Sequence, residues 1–282
     1  MFMATKIAHA YPGQGAQFPE MGNYLSKKAL QIASESFQKL IDALKEQNDE
    51  VLTETAFVQP AVYLVEASLM EKLPSPSLVL GHSSGEYAAL VEARVWDVRT
   101  GFEIIRARGH FSASFAPKGF MVQVPSSSRQ QLLSEFKSVY LAAINSEDRV
   151  VVAGIEADWE KVKAFLEENQ VDYRLLPVSA PFHTPYMEKA AQRLRSFLEI
   201  NPGKMPAVPV YLNALRRVVN SYDDVIEGLT LGLTKSIDWL EAQEYLKKNQ
   251  ISTLVEIYPR PYISKFTAFP TYNVLEFYQL TL

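Results

Sequence analysis

Ser77-Leu78-Val79-Leu80-Gly81-His82-Ser83-Ser84-Gly85-Glu86-Tyr87 spells a strand, a sharp turn and the start of a helix. Behind Pro74 and Pro76, the run Ser77–Leu80 is short, apolar and followed by glycine, as a strand buried in a parallel sheet should be. From Ser83 to Ala93 the composition turns helix-forming. Between the two lies Gly81-His82-Ser83-Ser84-Gly85, a GxSxG sequence. A turn of this kind pushes the serine oxygen out of the sheet, and its glycines are needed because side chains would clash there. The helix start also offers unpaired backbone N–H groups and a positive dipole end, which suit a developing oxyanion. GxSxG alone recurs in unrelated loops by chance. Its place between strand and helix makes Ser83 a candidate nucleophile.

Working outward, Lys6–Tyr11 reads as a buried strand entering a turn at Gly13 and Gly15. Tyr24–Lys45, Gln59–Lys72 and Thr100–Ser114 carry apolar residues at helical spacing. Strand, turn, helix, repeated, implies an α/β core with a parallel sheet. The middle changes character. Gly119–Val124, Val150–Ala153 and Tyr173–Val178 are β-like, with helical segments Arg129–Ser138 and Asp158–Asn169 among them. That pattern fits a ferredoxin-like insert. A helix resumes at Met187, followed by Val208–Leu212, a helical Trp239–Lys248 and an apolar Thr253–Ile257. The expected organisation is a large α/β subdomain from residues 1–118 and 180–282, interrupted by a small ferredoxin-like subdomain at 119–179.

The composition narrows the chemistry. The chain has 282 residues, enough for one large domain or two smaller ones. With 48% hydrophobic and 21% charged residues, it lies far from the signature of disorder. Its 28 basic against 32 acidic residues leave a net charge of -4, which argues against nucleic acid as a partner. The absence of cysteine excludes disulfides, iron–sulfur clusters and thiol catalysis. No run reaches the roughly 18 apolar residues of a membrane helix, and the start lacks a signal peptide's charged and apolar regions. A cytoplasmic protein without a membrane partner is the expectation. Imidazole chemistry is confined to His9, His82, His110 and His183. A serine nucleophile needs a base, and His183 stands in Val178-Ser179-Ala180-Pro181-Phe182-His183-Thr184. A lone histidine is more often a packing residue than a catalyst, and periodicity cannot bring it to Ser83. His82 reads as a packing residue beside the nucleophile, and His9 and His110 likewise. No HxxxH pair exists, so no metal is expected.

At this point the residues converge. Tyr11-Pro12-Gly13-Gln14-Gly15-Ala16-Gln17, Gln59-Pro60, Gly81–Tyr87, Arg108-Gly109 and Pro181-Phe182-His183 occur in the order and near-spacing of a known family. The chain resembles the malonyl-CoA:acyl carrier protein transacylases and related acyltransferase domains of fatty acid and polyketide synthesis. The resemblance implies an α/β-hydrolase-like core with a parallel sheet plus an inserted ferredoxin-like small subdomain. It makes Ser83 the acyl-accepting nucleophile, His183 its base, and the backbone N–H groups of Gln14 and Ser84 the oxyanion hole. Arg108 then grips the free carboxylate of a malonyl group, a role its guanidinium fork suits. Gln59, Asn145 and Asn213 correspond to pocket residues. The implied reaction is ping-pong transfer from an acyl-CoA thioester to the phosphopantetheine thiol of an acyl carrier protein. Coenzyme A enters as substrate, no cofactor is required, and a monomer is expected.

Three departures from the family pattern stand out. Its usual Gln-x-x-x-Pro-Val-x-Trp stretch is here Gly232-Leu233-Thr234-Lys235-Ser236-Ile237-Asp238-Trp239, so the carbonyl that orients the histidine would come from Gly232. The family's Gly-Pro-Gly becomes Tyr258-Pro259-Arg260-Pro261, and Ser84 replaces a common leucine. They leave an alternative open: a trans-acting acyl hydrolase in a polyketide pathway, using the same Ser83–His183 pair with water as acceptor. A third reading is a non-catalytic docking module that meets an acidic carrier through Arg216-Arg217 and Lys247-Lys248. Ordinary solvated charge pairs are the plainer explanation of those residues.

Overall fold

The computed structural model describes residues 6–280. The expectations for the start of the chain that fall on residues 1–5 lie outside the described residues. In chain order the strands are β1 (Ile7–Tyr11), β2 (Leu78–Gly81), β3 (Gly119–Pro125), β4 (Tyr140–Ile144), β5 (Arg149–Ile155), β6 (Arg174–Leu175), β7 (Val210–Leu212), β8 (Arg217–Val218), β9 (Ile237–Asp238), β10 (Thr253–Glu256) and β11 (Thr271–Asn273). They form two sheets, ordered β11-β10-β1-β2-β7-β8 and β6-β3-β5-β4-β9. The first is parallel except for its edge strand β8. The chain therefore has the α/β architecture expected of it.

Side-chain alternation explains how the large sheet is covered on both faces. Val79 of β2 and Tyr11 of β1 face a core that includes the Thr55–Met70, Gly85–Glu92 and Val98–Phe115 helices. Their neighbours Leu78, Leu80, Ala8 and Ala10 face Trp239, Ala242 and Leu246 of the Trp239–Lys248 helix. A strand covered on both faces is apolar throughout, which is why Leu78–Leu80 shows no alternation.

The small sheet follows strand, helix, strand, strand, helix, strand from β3 to β6. Among these strands β4 carries no strong β signal in the sequence. Its core, Leu141-Ala142-Ala143, has little β-branched character, and its pairing with β5 is irregular between Leu141 and Ala143. One further strand, β9, comes from well beyond residue 179 and pairs in parallel with β4. The stretch Tyr173–Val178 contributes only Arg174–Leu175 as strand. Tyr24–Lys45 divides into two helices, Lys27–Ser36 and Gln38–Lys45, broken at Phe37 and preceded by a 3-10 turn at Pro19–Tyr24. Among the described residues no helix is long and apolar enough to cross a membrane.

Candidate active site

Register places the site. β1 and β2 run in parallel with Tyr11 opposite Gly81, so the loop after each strand leaves the same edge of the sheet. Open α/β sheets hold their ligands at this carboxyl edge. The Gly81–Gly85 turn there is tight enough to exclude side chains at both ends. A Cβ on Gly81 would lie 2.1 Å from the Glu86 nitrogen, and one on Gly85 would lie 2.1 Å from the Tyr11 carbonyl oxygen. Ser83 at its apex has φ of 56°, a left-handed conformation that costs about 1–3 kcal/mol unless its surroundings enforce it. The helix itself begins at Gly85, two residues later than the sequence suggested, and Ser83 stands in the turn before it.

The enforcing group lies behind the turn. Glu86 is buried, and its Oε1 accepts from the Asn213 backbone N–H at 2.8 Å and from Asn213 Nδ2 at 2.9 Å. Asn213 Nδ2 also donates to the Gly81 carbonyl at 2.6 Å. Asn213 is thus a brace of the turn and is not among the residues lining the Ser83 cavity, unlike the pocket role read from the resemblance. Burial pushes the Glu86 carboxyl up to about 7, against the opposing pull of the Asn213 donors and the Arg108 charge.

Ser83 Oγ lies 2.9 Å from His183 Nε2, joining residues that sequence spacing alone could not bring together. His183 Nδ1 donates to the Gly232 carbonyl at 2.6 Å, and the His183 backbone N–H donates to the Leu233 carbonyl at 2.9 Å. Both acceptors belong to the last turn of the Tyr222–Thr234 helix, whose carbonyls lack helical partners. A carbonyl only accepts, so Nδ1 carries the proton and Nε2 presents its lone pair to Ser83. The helix terminus also favours the positive charge that forms when Nε2 takes a proton. Burial, then the Arg108 charge, lowers the His183 imidazole to about 3, so the resting ring is neutral.

Arg108 comes from the Val98–Phe115 helix and is 3% exposed. Its guanidinium lies between the Tyr87 and Phe182 rings, 5.5 and 5.7 Å from their centroids, and Nη2 reaches Ser83 Oγ at 3.4 Å. Among the described residues it forms no ion pair. An unpaired buried cation costs several kcal/mol, which a carboxylate brought by a ligand would offset.

These groups line one cavity of about 70 Å³, with Gln14, Gln59 and Asn145 on its polar side and Leu176, Val178 and Tyr262 among its walls. Gln59 Nε2 donates to Gln14 Oε1 at 3.2 Å, and the backbone N–H of Gln14 donates to Ser84 Oγ at 3.0 Å. Asn145 Oδ1 accepts from His82 Nε2 at 3.0 Å, while Trp239 and Phe266 pack edge-on to that ring. His82 is held neutral by burial, which lowers it to about 4. His9 is buried between Glu92 and Tyr278, each 2.7 Å away, whereas His110 is exposed on its helix and not packed as expected. Tyr262 went unnoticed in the sequence because it follows a rebuilt turn and belongs to no recognised motif.

The chain is similar to known proteins over most of its length. The acyl transferase domain family matches residues 8–222. A Bacillus subtilis protein described as polyketide biosynthesis malonyl CoA-acyl carrier protein transacylase PksC is 29% identical over 269 residues, covering 90% of this chain and 93% of its own. A second B. subtilis protein, described as malonyl CoA-acyl carrier protein transacylase, is 30% identical over 281 residues, covering 92% and 89%. Among solved structures, a malonyl-transacylase in complex with a type II polyketide synthase acyl-carrier protein superposes with a TM-score of 0.82 at 25% identity, covering 95% of this chain and 96% of that one. With residues 8–222 matched by the family model and 92% of its length aligned with a 30% identical transacylase, this chain belongs to the acyl transferase domain family, alongside the malonyl-CoA:acyl carrier protein transacylases.

Proposed function

We propose that this protein transfers a malonyl group from coenzyme A to the phosphopantetheine thiol of an acyl carrier protein, through an ester on Ser83. The observation that carries the reading is Arg108: a buried guanidinium without an ion pair among the described residues, 3.4 Å from the Ser83 oxygen. An acyl group on Ser83 that ends in a carboxylate would reach it with two parallel hydrogen bonds.

His183 Nε2 takes the Ser83 proton as Oγ attacks the thioester carbonyl. The Gln14 and Ser84 N–H groups receive the oxyanion of the tetrahedral intermediate. The intermediate collapses, the C–S bond breaks, and the coenzyme A thiol leaves with the proton held on His183. In the second half-reaction the carrier's thiol gives its proton to His183 and attacks the Ser83 ester. Collapse then returns that proton to Ser83 Oγ. The chemistry calls on no metal or redox cofactor. We place the protein in the cytoplasm, acting as a monomer in carrier-protein-dependent fatty acid or polyketide synthesis.

The hydrolase alternative is not favoured. One of the departures behind it is Gly232 in place of glutamine, yet the Gly232 carbonyl is bonded to His183 at 2.6 Å. The docking-module reading also loses support. Arg217 pairs with Asp224 at 2.7 Å, Arg216 with Asp238 at 3.5 Å and Lys247 with Glu244 at 2.6 Å. Incubation with malonyl-CoA and acetyl-CoA, with and without carrier protein, tests the reading by following carrier loading and free acid. Malonyl-loaded carrier with little free malonate is the expected result. Free malonate in both arms with no loaded carrier would contradict it.

A further inference from the structure

Two of the departures from the family pattern meet at one residue. Ser84 Oγ accepts the Gln14 backbone N–H at 3.0 Å. From the other side Tyr262, just beyond the rebuilt Tyr258–Pro261 turn, brings its hydroxyl to 3.5 Å from the Gln14 carbonyl oxygen. Its ring lies so close over the next residue that a Cβ on Gly15, where φ is 109°, would sit 2.6 Å from that hydroxyl. Tyr262 is itself fixed. The backbone N–H groups of Tyr262, Ile263 and Ser264 end on the buried Glu256 carboxylate of β10 at 2.7, 2.7 and 3.2 Å. The Gln14–Gly15 turn is therefore held between the nucleophile turn and a side chain anchored to the sheet. Among the described residues the Ser84 N–H has no acceptor, so one oxyanion donor stands open while the other is engaged.

We infer that the Ser84 hydroxyl is a resting occupant of the Gln14 donor, which the oxyanion must displace before both donors act. The inference rests on Ser83 being the nucleophile. Ser84 is then a positioning residue, acting on the reaction through Gln14. A neutral hydrogen bond in the resting enzyme gives way to a charge-assisted one in the transition state, so the exchange is favourable overall. Breaking the resting bond still slows acylation by about two- to tenfold relative to an unoccupied donor. Because Tyr262 and Glu256 fix the turn, Gln14 cannot move aside, and the exchange falls to the Ser84 side chain.

Ser84→Ala removes the hydroxyl and keeps the N–H. Single-turnover acylation by malonyl-CoA should become about two- to tenfold faster with an unchanged KM. The ester carbonyl stretch of the acyl-enzyme should move to lower wavenumber, because the carbonyl then accepts an undivided second hydrogen bond. Ser84→Gly makes the same test should the alanine variant fold poorly. Slower or unchanged acylation overturns the inference, and so does a stretch that stays in place. Absence of any ester on Ser83 in the wild type would instead overturn the nucleophile assignment.

Discussion

As the proposed base, His183 has no carboxylate partner among the described residues, and the reason lies in what it touches. A helix-terminal carbonyl fixes its tautomer, while burial and the Arg108 charge keep it neutral. The base is competent only when neutral, and protonation silences it as pH falls through its value in the folded enzyme. The acid limb of kcat/KM for acylation should therefore lie well below 6.5, displaced toward 3; a pH–rate profile measured with malonyl-CoA checks this. Arg108 gives a second prediction at this scale. Arg108→Ala should lower kcat/KM for malonyl-CoA by roughly ten- to a hundredfold and leave acetyl-CoA nearly unaffected, since only malonyl carries the carboxylate. Equal losses with both thioesters would remove the clamp role. Ser83 is readable from its place between strand and helix, whereas His183 and Arg108 enter through the family resemblance, and the fold gathers all three around one cavity. Glu86 and Asn213 were not assigned as a brace, because their contact spans 127 residues of sequence and leaves no local signal.

Among the elements, the Tyr222–Thr234 helix matters most, because its last turn supplies both acceptors for His183. Gly232 lies within that turn, and among the described residues a Cβ there would meet only Glu86 Oε2, at 3.5 Å. The site has room for alanine, and glycine costs a helix about 0.8–1 kcal/mol relative to it. Gly232→Ala should raise the melting temperature by about 1–4 °C while preserving turnover, since the catalytic contact is a carbonyl that every residue carries. Calorimetry and a carrier-loading assay check the two halves of that statement. The strands β1, β2 and β10 and the Trp239–Lys248 helix were plain from apolar runs and periodicity. The short strands β8, β9 and β11 were not. Strands of two or three residues draw their stability from neighbours that the local sequence does not name.

At the scale of the whole molecule, the buried Glu86 couples stability to pH. Its carboxyl lies near 7 in the fold against 4.5 when unconstrained, so the folded state holds its proton more tightly than the unfolded chain. That contribution is fully present below about 4.5 and is lost as pH rises through about 7. Glu86→Gln keeps an acceptor for Asn213 without the charge. Its melting temperature relative to wild type should rise between pH 5 and pH 8. A constant difference would show that Glu86 does not titrate in this range. The alternation of strands and helices made the two-sheet organisation legible, but not the crossing of β9 into the small sheet. That crossing ties the segment after the Tyr222–Thr234 helix to β4, so both sheets bear on where His183 stands. The proposed reaction passes through one ester bond on Ser83, and intact-protein and peptide mass spectrometry after brief exposure to malonyl-CoA detects it. The expected result is one malonyl group per chain, located on Ser83, absent in Ser83→Ala and discharged by holo carrier protein. A chain that stays unmodified, or a label that persists in Ser83→Ala, would contradict it.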